Sequence, residues 1–174
     1  MDGVKLKKLI SKKELQDKVS EFADLINKTF KNEEIIVIGV MNGAFYFLHD
    51  LLKKIKVNFS YDTLSCSSYY GTLSSNNAPK VLYSNKINIE NKNVLIVEDI
   101  IDTGNSIKLI YDTLLTYQPK EIYIGSIFLR EKNNINHKLL WTGFTLKKEF
   151  IVGYGLDYNE KFRNLEDIYD LELS

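Results

Sequence analysis

Cysteine, proline and histidine are nearly absent from this 174-residue chain: one cysteine (Cys66), two prolines and two histidines, His49 and His137. A single cysteine excludes an intramolecular disulfide. With so few Cys and His, the usual zinc-ligand spacings do not occur. A catalytic thiol is disfavoured as well, because Ser65, Ser67 and Ser68 around Cys66 offer no base to lower its pKa. A partly buried small residue at a strand end is the better reading of Cys66. An excess of one charge is also missing. Lys plus Arg and Asp plus Glu stand at 23 each, so the global balance favours neither nucleic acid nor an anionic membrane as partner. No stretch approaches the ~18 apolar residues of a membrane span, and the start, MDGVKLKKLISKKE, has no apolar signal core. A cytoplasmic protein is expected. What remains, 44% hydrophobic and 26% charged, fits one soluble globular domain over residues 1–174.

The densest chemistry lies in residues 94–106, VLIVEDIIDTGNS. Val94 to Glu98 read as a short buried strand, a continuous aliphatic run bounded by breakers. At its C-terminal end Glu98, Asp99 and Asp102 set three carboxylates within five positions, where they repel unless a cation or a hydroxyl-rich ligand sits among them. Thr103, Gly104, Asn105 and Ser106 then lead into Ile107, Ile110, Tyr111, Leu114 and Leu115, spaced as one helix face. Unpaired N–H groups, the positive end of the dipole and two hydroxyls make such a helix start an anion site. A ribose 5-phosphate fits acids on one side and an anion cradle on the other. Solvated loop acids and a plain N-cap fit the same residues.

Elsewhere the pattern alternates strand and helix. Ser11 and Glu14 form a capping box, followed by Leu15, Val19, Phe22, Ile26 and Phe30 on one helix face. Residues 35–39, IIVIG, read as a buried strand. Met41 to Ala44 turn into a second helix carrying Phe45, Leu48, Leu51, Leu52 and Ile55. Residues 57–66 alternate as a half-exposed strand, with Val57, Phe59 and Tyr61 on its apolar side. The polar run 67–79, SSYYGTLSSNNAP, is a disordered tip or a lid, followed by the strand-like KVLYS. Residues 121–129, EIYIGSIFL, form another buried strand, with Arg130 at its end. The aromatic and glycine-rich stretch from Trp141 to Tyr169 suggests short strands and turns forming a small hood. The fold expected is α/β: a mostly parallel central sheet with flanking helices, a small hood and a flexible hairpin lid.

VEDIIDTGNS resembles the phosphoribosyl-diphosphate signature of type I phosphoribosyltransferases, and FIVGYGLDYNEKFRNL is similar to the C-terminal motif of the hypoxanthine/guanine branch. The resemblance extends over nearly the whole chain. It implies a Mg²⁺-dependent purine salvage transferase that converts hypoxanthine or guanine and 5-phosphoribosyl 1-diphosphate to IMP or GMP and pyrophosphate. By that resemblance Asp102 is the general base, Glu98 and Asp99 hold the ribose hydroxyls or an associated metal, and Thr103 to Ser106 bind the 5′-phosphate. Gly43 and the amides beside it hold pyrophosphate, with Asn42 standing where the family usually has a basic residue. Arg130 takes the place of a lysine that reads the 6-oxygen of the purine, with Lys132 as second choice. Phe150 stacks on the base and the backbone at Ile151 reads its edge. Asp157 approaches Mg²⁺ and Arg163 holds pyrophosphate. Ser68 and Tyr69 match the Ser-Tyr pair of a closing lid, and a homo-oligomer is implied as well. Read without the resemblance, Arg130 is equally a solvated arginine, Phe150 a core residue, and Asp157 with Arg163 a surface ion pair of little worth. Two other functions fit the same fold: a non-catalytic sensor of phosphoribosyl diphosphate that binds nucleic acid, and a xanthine-accepting transferase.

Overall fold

The structure, a computed structural model, describes residues 4–67, 80–133 and 135–173. Twelve elements follow along these residues: β1 (Val4–Ile10), α1 (Lys12–Thr29), β2 (Ile35–Met41), α2 (Phe45–Leu52), β3 (Phe59–Ser67), β4 (Lys80–Tyr83), β5 (Asn93–Ile101), α3 (Asn105–Leu115), β6 (Glu121–Arg130), β7 (Leu139–Leu146), β8 (Ile151–Val152) and β9 (Ile168–Leu173). Six strands form one sheet in the order β4-β3-β2-β5-β6-β7. All its pairings are parallel except β3 with β4. β2 and β5 are therefore central neighbours whose connections leave in opposite directions. The crevice beyond their C-terminal ends is where open α/β sheets bind ligands. A second, antiparallel sheet, β1-β9-β8, makes the hood.

Local chemistry accounts for the helices. In α1, Ser11 Oγ accepts from the Glu14 N–H at 3.3 Å and Glu14 Oε2 accepts from the Ser11 N–H at 2.8 Å, so both orphan donors of the capping box are satisfied. Leu15, Val19, Phe22 and Ile26 then bury one face completely. They pack with Phe47, Leu48 and Leu51 of α2 over Val37, Leu95 and Val97 of the sheet. Ile107, Ile110 and Leu114 of α3 cover the opposite face, over Ile36, Ile38, Val94 and Ile96. Strands buried on both faces read as unbroken aliphatic runs, as β2 and β5 do.

The structure corrects several readings. Residues 141–146 belong to β7, an edge strand of the main sheet, and the hood instead recruits the N-terminal strand β1. Over residues 57–66 the expected apolar side holds only in part: Val57 and Phe59 pack against the core, but Tyr61 is 57% exposed and Asp62 is buried, accepting from the Thr63 and Lys86 N–H groups. Phe45 of α2 faces solvent and Phe47 takes the core position. The strand read as 94–98 runs on to Ile101. Ser68 and Tyr69, with most of the 67–79 run, lie outside the described residues.

Candidate active site

One cleft of about 980 Å³ opens where the C-terminal ends of β2 and β5 meet the hood. Its walls come from five segments: Val40 to Gly43 at the end of β2 and just after it, Cys66 in β3, Glu98 to Gly104 with Ser106 and Ile107 from β5 into α3, Arg130 at the end of β6, and parts of 150–163 below the hood. Two distant stretches of sequence, 98–106 and 150–163, thus share one cavity.

The carboxylates are differently placed. Leu95 and Val97 face the α1/α2 core, whereas Val94 and Ile96 face α3. Beyond Asp99 this alternation breaks, since Ile100 faces α1/α2 and Ile101 faces α3. The ladder to β6 pairs Glu98 with Ser126 and Ile100 with Phe128 and passes over Asp99. A strict strand would send two successive side chains to opposite faces; this break lets Glu98 and Asp99 line the same cleft. Glu98 is 7% exposed, and its Oε1 accepts from the Asp99 N–H at 3.1 Å. Burial, then the neighbouring Asp99, hold the Glu98 carboxyl well above the usual carboxylate range. Asp99 is raised as well, chiefly by burial, although its Oδ1 accepts from the Ile100 N–H at 2.6 Å. A cation or a pair of hydroxyls is the natural relief for two such acids. Gly43 fits closely over this pair, because a Cβ there would stand 1.6 Å from Asp99 Oδ2. The preceding Met41–Asn42 peptide is cis.

Asp102 lies beyond the strand, exposed, and Arg130 Nε donates to its Oδ1 at 3.2 Å. The same guanidinium donates through Nη1 to the carbonyls of Glu149 (3.1 Å) and Lys147 (3.4 Å). Arg130 is therefore not a freely solvated arginine. Gly104, at φ +89°, turns the chain into α3, whose N-cap has no side-chain hydrogen bond. Thr103 Oγ1 accepts weakly from the Asn105 N–H at 3.4 Å. The first-turn N–H groups point to an anion site, with Thr103, Gly104 and Ser106 lining the cleft. Asn105 is exposed and is not among the lining residues. Cys66 touches Ser106, and burial pushes its thiol pKa up, opposite to the direction activation needs.

Below the hood, Phe150 is 51% exposed and meets Tyr158 edge to face at 5.9 Å. The half-bare ring lines the cleft, and Ile151 beside it is buried in β8. Arg163 Nη2 lies 2.8 Å from Asp157 Oδ1 and 3.0 Å from Glu160 Oε2, and Asp157 Oδ2 accepts from the Glu160 N–H. Asp157 and Arg163 thus form the ion pair considered from sequence, but on the cleft wall. Glu160 and Tyr158 are cleft residues that the sequence reading missed, although both lie inside its C-terminal motif. Lys132, the second choice to Arg130, does not line the cleft.

Comparison with known proteins supplies the context for this geometry. The family described as "Phosphoribosyl transferase domain" matches residues 8–159. The chain belongs to this phosphoribosyltransferase family. Among curated relatives, it is 37% identical to the hypoxanthine phosphoribosyltransferase of Buchnera aphidicola subsp. Schizaphis graminum over 163 residues, 92% of each chain. It is 36% identical to the hypoxanthine-guanine phosphoribosyltransferase of Aquifex aeolicus over 173 residues, covering 98% of this chain and 97% of that one. Among solved structures, a hypoxanthine-guanine phosphoribosyltransferase from Bacillus anthracis superposes with a TM-score of 0.87 at 38% identity, over 97% of this chain and 99% of that chain. The phosphoribosyltransferase fold expected from the motifs is the fold observed.

Proposed function

We propose that this phosphoribosyltransferase moves the 5-phosphoribosyl group from 5-phosphoribosyl 1-diphosphate to N9 of a 6-oxopurine, hypoxanthine or guanine, giving IMP or GMP and pyrophosphate. One observation carries the reading: the acid and anion-loop stretch 98–106 and the aromatic stretch 150–163 line a single cleft. The relatives named for hypoxanthine and guanine transfer support it.

Each chemical demand of the reaction has a residue to meet it. Breaking the bond from the anomeric carbon to pyrophosphate leaves positive charge on the ribose and sends the electron pair to the leaving group. Glu98 and Asp99 hold the ribose hydroxyls, and the positive charge developing beside them favours the ionised forms that burial otherwise disfavours. The N-terminus of α3, with Thr103 and Ser106, anchors the 5′-phosphate through charge-assisted bonds worth about 1.5–3 kcal/mol each. Gly43 and its neighbouring amides, with Arg163, hold the leaving pyrophosphate. As purine N9 attacks, Asp102 accepts the N7 proton. A positioned base contributes roughly 10²–10⁴-fold. Phe150 stacks on the purine, the Ile151 backbone meets its edge, and Arg130 donates to the 6-oxygen. Arg130 has donors to spare, since neither Nη2 hydrogen is used in its contacts with Asp102, Lys147 and Glu149.

The donor set fits Mg²⁺. Asp157, Glu98 and Asp99 supply hard carboxylate oxygens around the cleft. Among the described residues no three His, Cys, Asp or Glu side chains form a ready-made cage, and magnesium commonly takes one or two carboxylates, substrate oxygens and waters. When bound, the ion neutralises diphosphate charge. The proposal also includes a homo-oligomer, which sedimentation would show as a mass above 20.2 kDa. It includes no nucleic acid partner. No helix among the described residues is long and apolar enough to cross a membrane.

The test is parallel incubation with donor, Mg²⁺ and hypoxanthine, guanine, xanthine or adenine. Turnover of hypoxanthine or guanine supports the reading. Turnover of xanthine alone would move the assignment to the xanthine-accepting variant, and donor binding without turnover would favour a sensor.

A further inference from the structure

A partly buried junction beside the cleft joins α1, α2 and the segment below the hood through residues that the reaction scheme leaves unused. Asp50, in α2, accepts from the Tyr154 hydroxyl at 2.8 Å and from Gln16 Nε2 of α1 on the same oxygen, and its other oxygen meets His49 Nδ1 at 3.3 Å. Tyr154 belongs to the segment below the hood, is 7% exposed, and stacks against Tyr46 of α2 with ring centroids 6.2 Å apart. Burial, then the Asp50 carboxylate, push its hydroxyl pKa up, so it stays a proton donor through the neutral range.

The neighbouring residue gives this junction a bearing on the site. A Cβ on Gly155 would stand 2.0 Å from the carbonyl oxygen of Gly43, so the two backbones lie in direct contact. Gly43 in turn lies against Asp99. Gly155, Gly43 and the Asp99 carboxylate form a stack of three residues from three segments, backbone on backbone at the first contact and backbone on carboxylate at the second. Tyr154 fastens the top of that stack to the helix that begins just after Gly43. The purine-facing part of the hood has its own anchor: the Phe150 N–H donates to Asp170 Oδ1 at 3.0 Å, and Ile151 pairs with Asp170 in the hood sheet.

Resting on the transfer reaction proposed above, we infer that Tyr154 is a positioning residue for the diphosphate donor: its bond to Asp50 keeps Gly155 seated on Gly43 and so fixes the anion loop at 41–44. Loss of that bond loosens the donor half of the cleft and leaves the purine half in place.

Steady-state kinetics of the full chain and its Tyr154→Phe and Asp50→Asn variants test this, with each substrate varied in turn. Removing a hydrogen bond to a charged group raises the donor KM by about tenfold or more in Tyr154→Phe, while purine KM and kcat stay within about twofold. Asp50→Asn keeps an acceptor and loses less. A donor KM that does not move, or donor and purine KM rising together, overturns the inference whatever happens to Tm. If Tyr154→Phe does not fold, Asp50→Ala, which removes the acceptor altogether, carries the same readout. Failure of the underlying reaction shows separately, as an inactive wild-type protein, and removes both.

Discussion

Gly43 lies flat against Asp99, with no room between its Cα and Asp99 Oδ2 for even a methyl group. The loop after β2 and the acidic end of β5 are therefore in direct contact. Gly43→Ala forces one of them to move. Overpacking of this kind costs about 1–3 kcal/mol, and the displacement falls on groups proposed to bind donor. Titration calorimetry with 5-phosphoribosyl 1-diphosphate should show clearly weaker binding, and wild-type affinity would remove the loop from the donor site.

Asp102 is exposed and outside the cores, so replacing it leaves folding intact. Asp102→Asn should lower kcat by roughly 10²–10⁴-fold while the donor dissociation constant changes little. Unchanged turnover would take the base role from it.

Arg130 ties three groups together, Asp102 and the carbonyls of Lys147 and Glu149. Its ion pair with exposed Asp102 adds little to stability, but its planar fork cannot be copied by an ammonium group. Arg130→Ala should raise the KM for the purine far more than that for the donor, with Arg130→Lys intermediate. Equal losses for both substrates would assign Arg130 a purely structural task.

Phe150 is half bare, so Phe150→Ala should leave Tm nearly unchanged. If the ring stacks on the purine, about 1–3 kcal/mol of base binding goes with it, read as a higher purine KM. A large fall in Tm with unchanged purine KM would mark Phe150 as a packing residue instead.

Turnover should vanish with a chelator and return with added Mg²⁺. Asp157→Asn should raise the Mg²⁺ concentration needed for half-maximal rate. Since Asp157 also faces Arg163 at 2.8 Å, the control is Glu160→Gln, which touches the same arginine; an identical shift there would trace the effect to Arg163.

Those features that local spacing encodes were legible in the chain. The capping box of α1 lies within four residues, and its buried face repeats at helical intervals, so both could be read directly. That the acids Glu98, Asp99 and Asp102 would share one site with Thr103, Gly104 and Ser106 was legible because they are contiguous, and all of them line the cleft. The contacts that organise the site are distant: Arg130 with Asp102 across 28 residues and Tyr154 with Asp50 across 104. No spacing rule reaches so far. The strand β1 was missed because Ile10 alone of its seven residues is buried; its partner is β9, at the other end of the chain. Trp141 to Leu146 went to the wrong sheet because an edge strand of mixed burial has no clear alternation.

The central claim is transfer of a phosphoribosyl group to a 6-oxopurine, and stoichiometry tests it most directly. Purified protein incubated with hypoxanthine, 5-phosphoribosyl 1-diphosphate and Mg²⁺ should release IMP and pyrophosphate in equal amounts, with guanine giving GMP in the same way and adenine giving no nucleotide. Pyrophosphate released without nucleotide, or no product from either oxopurine despite measurable donor binding, would contradict the account.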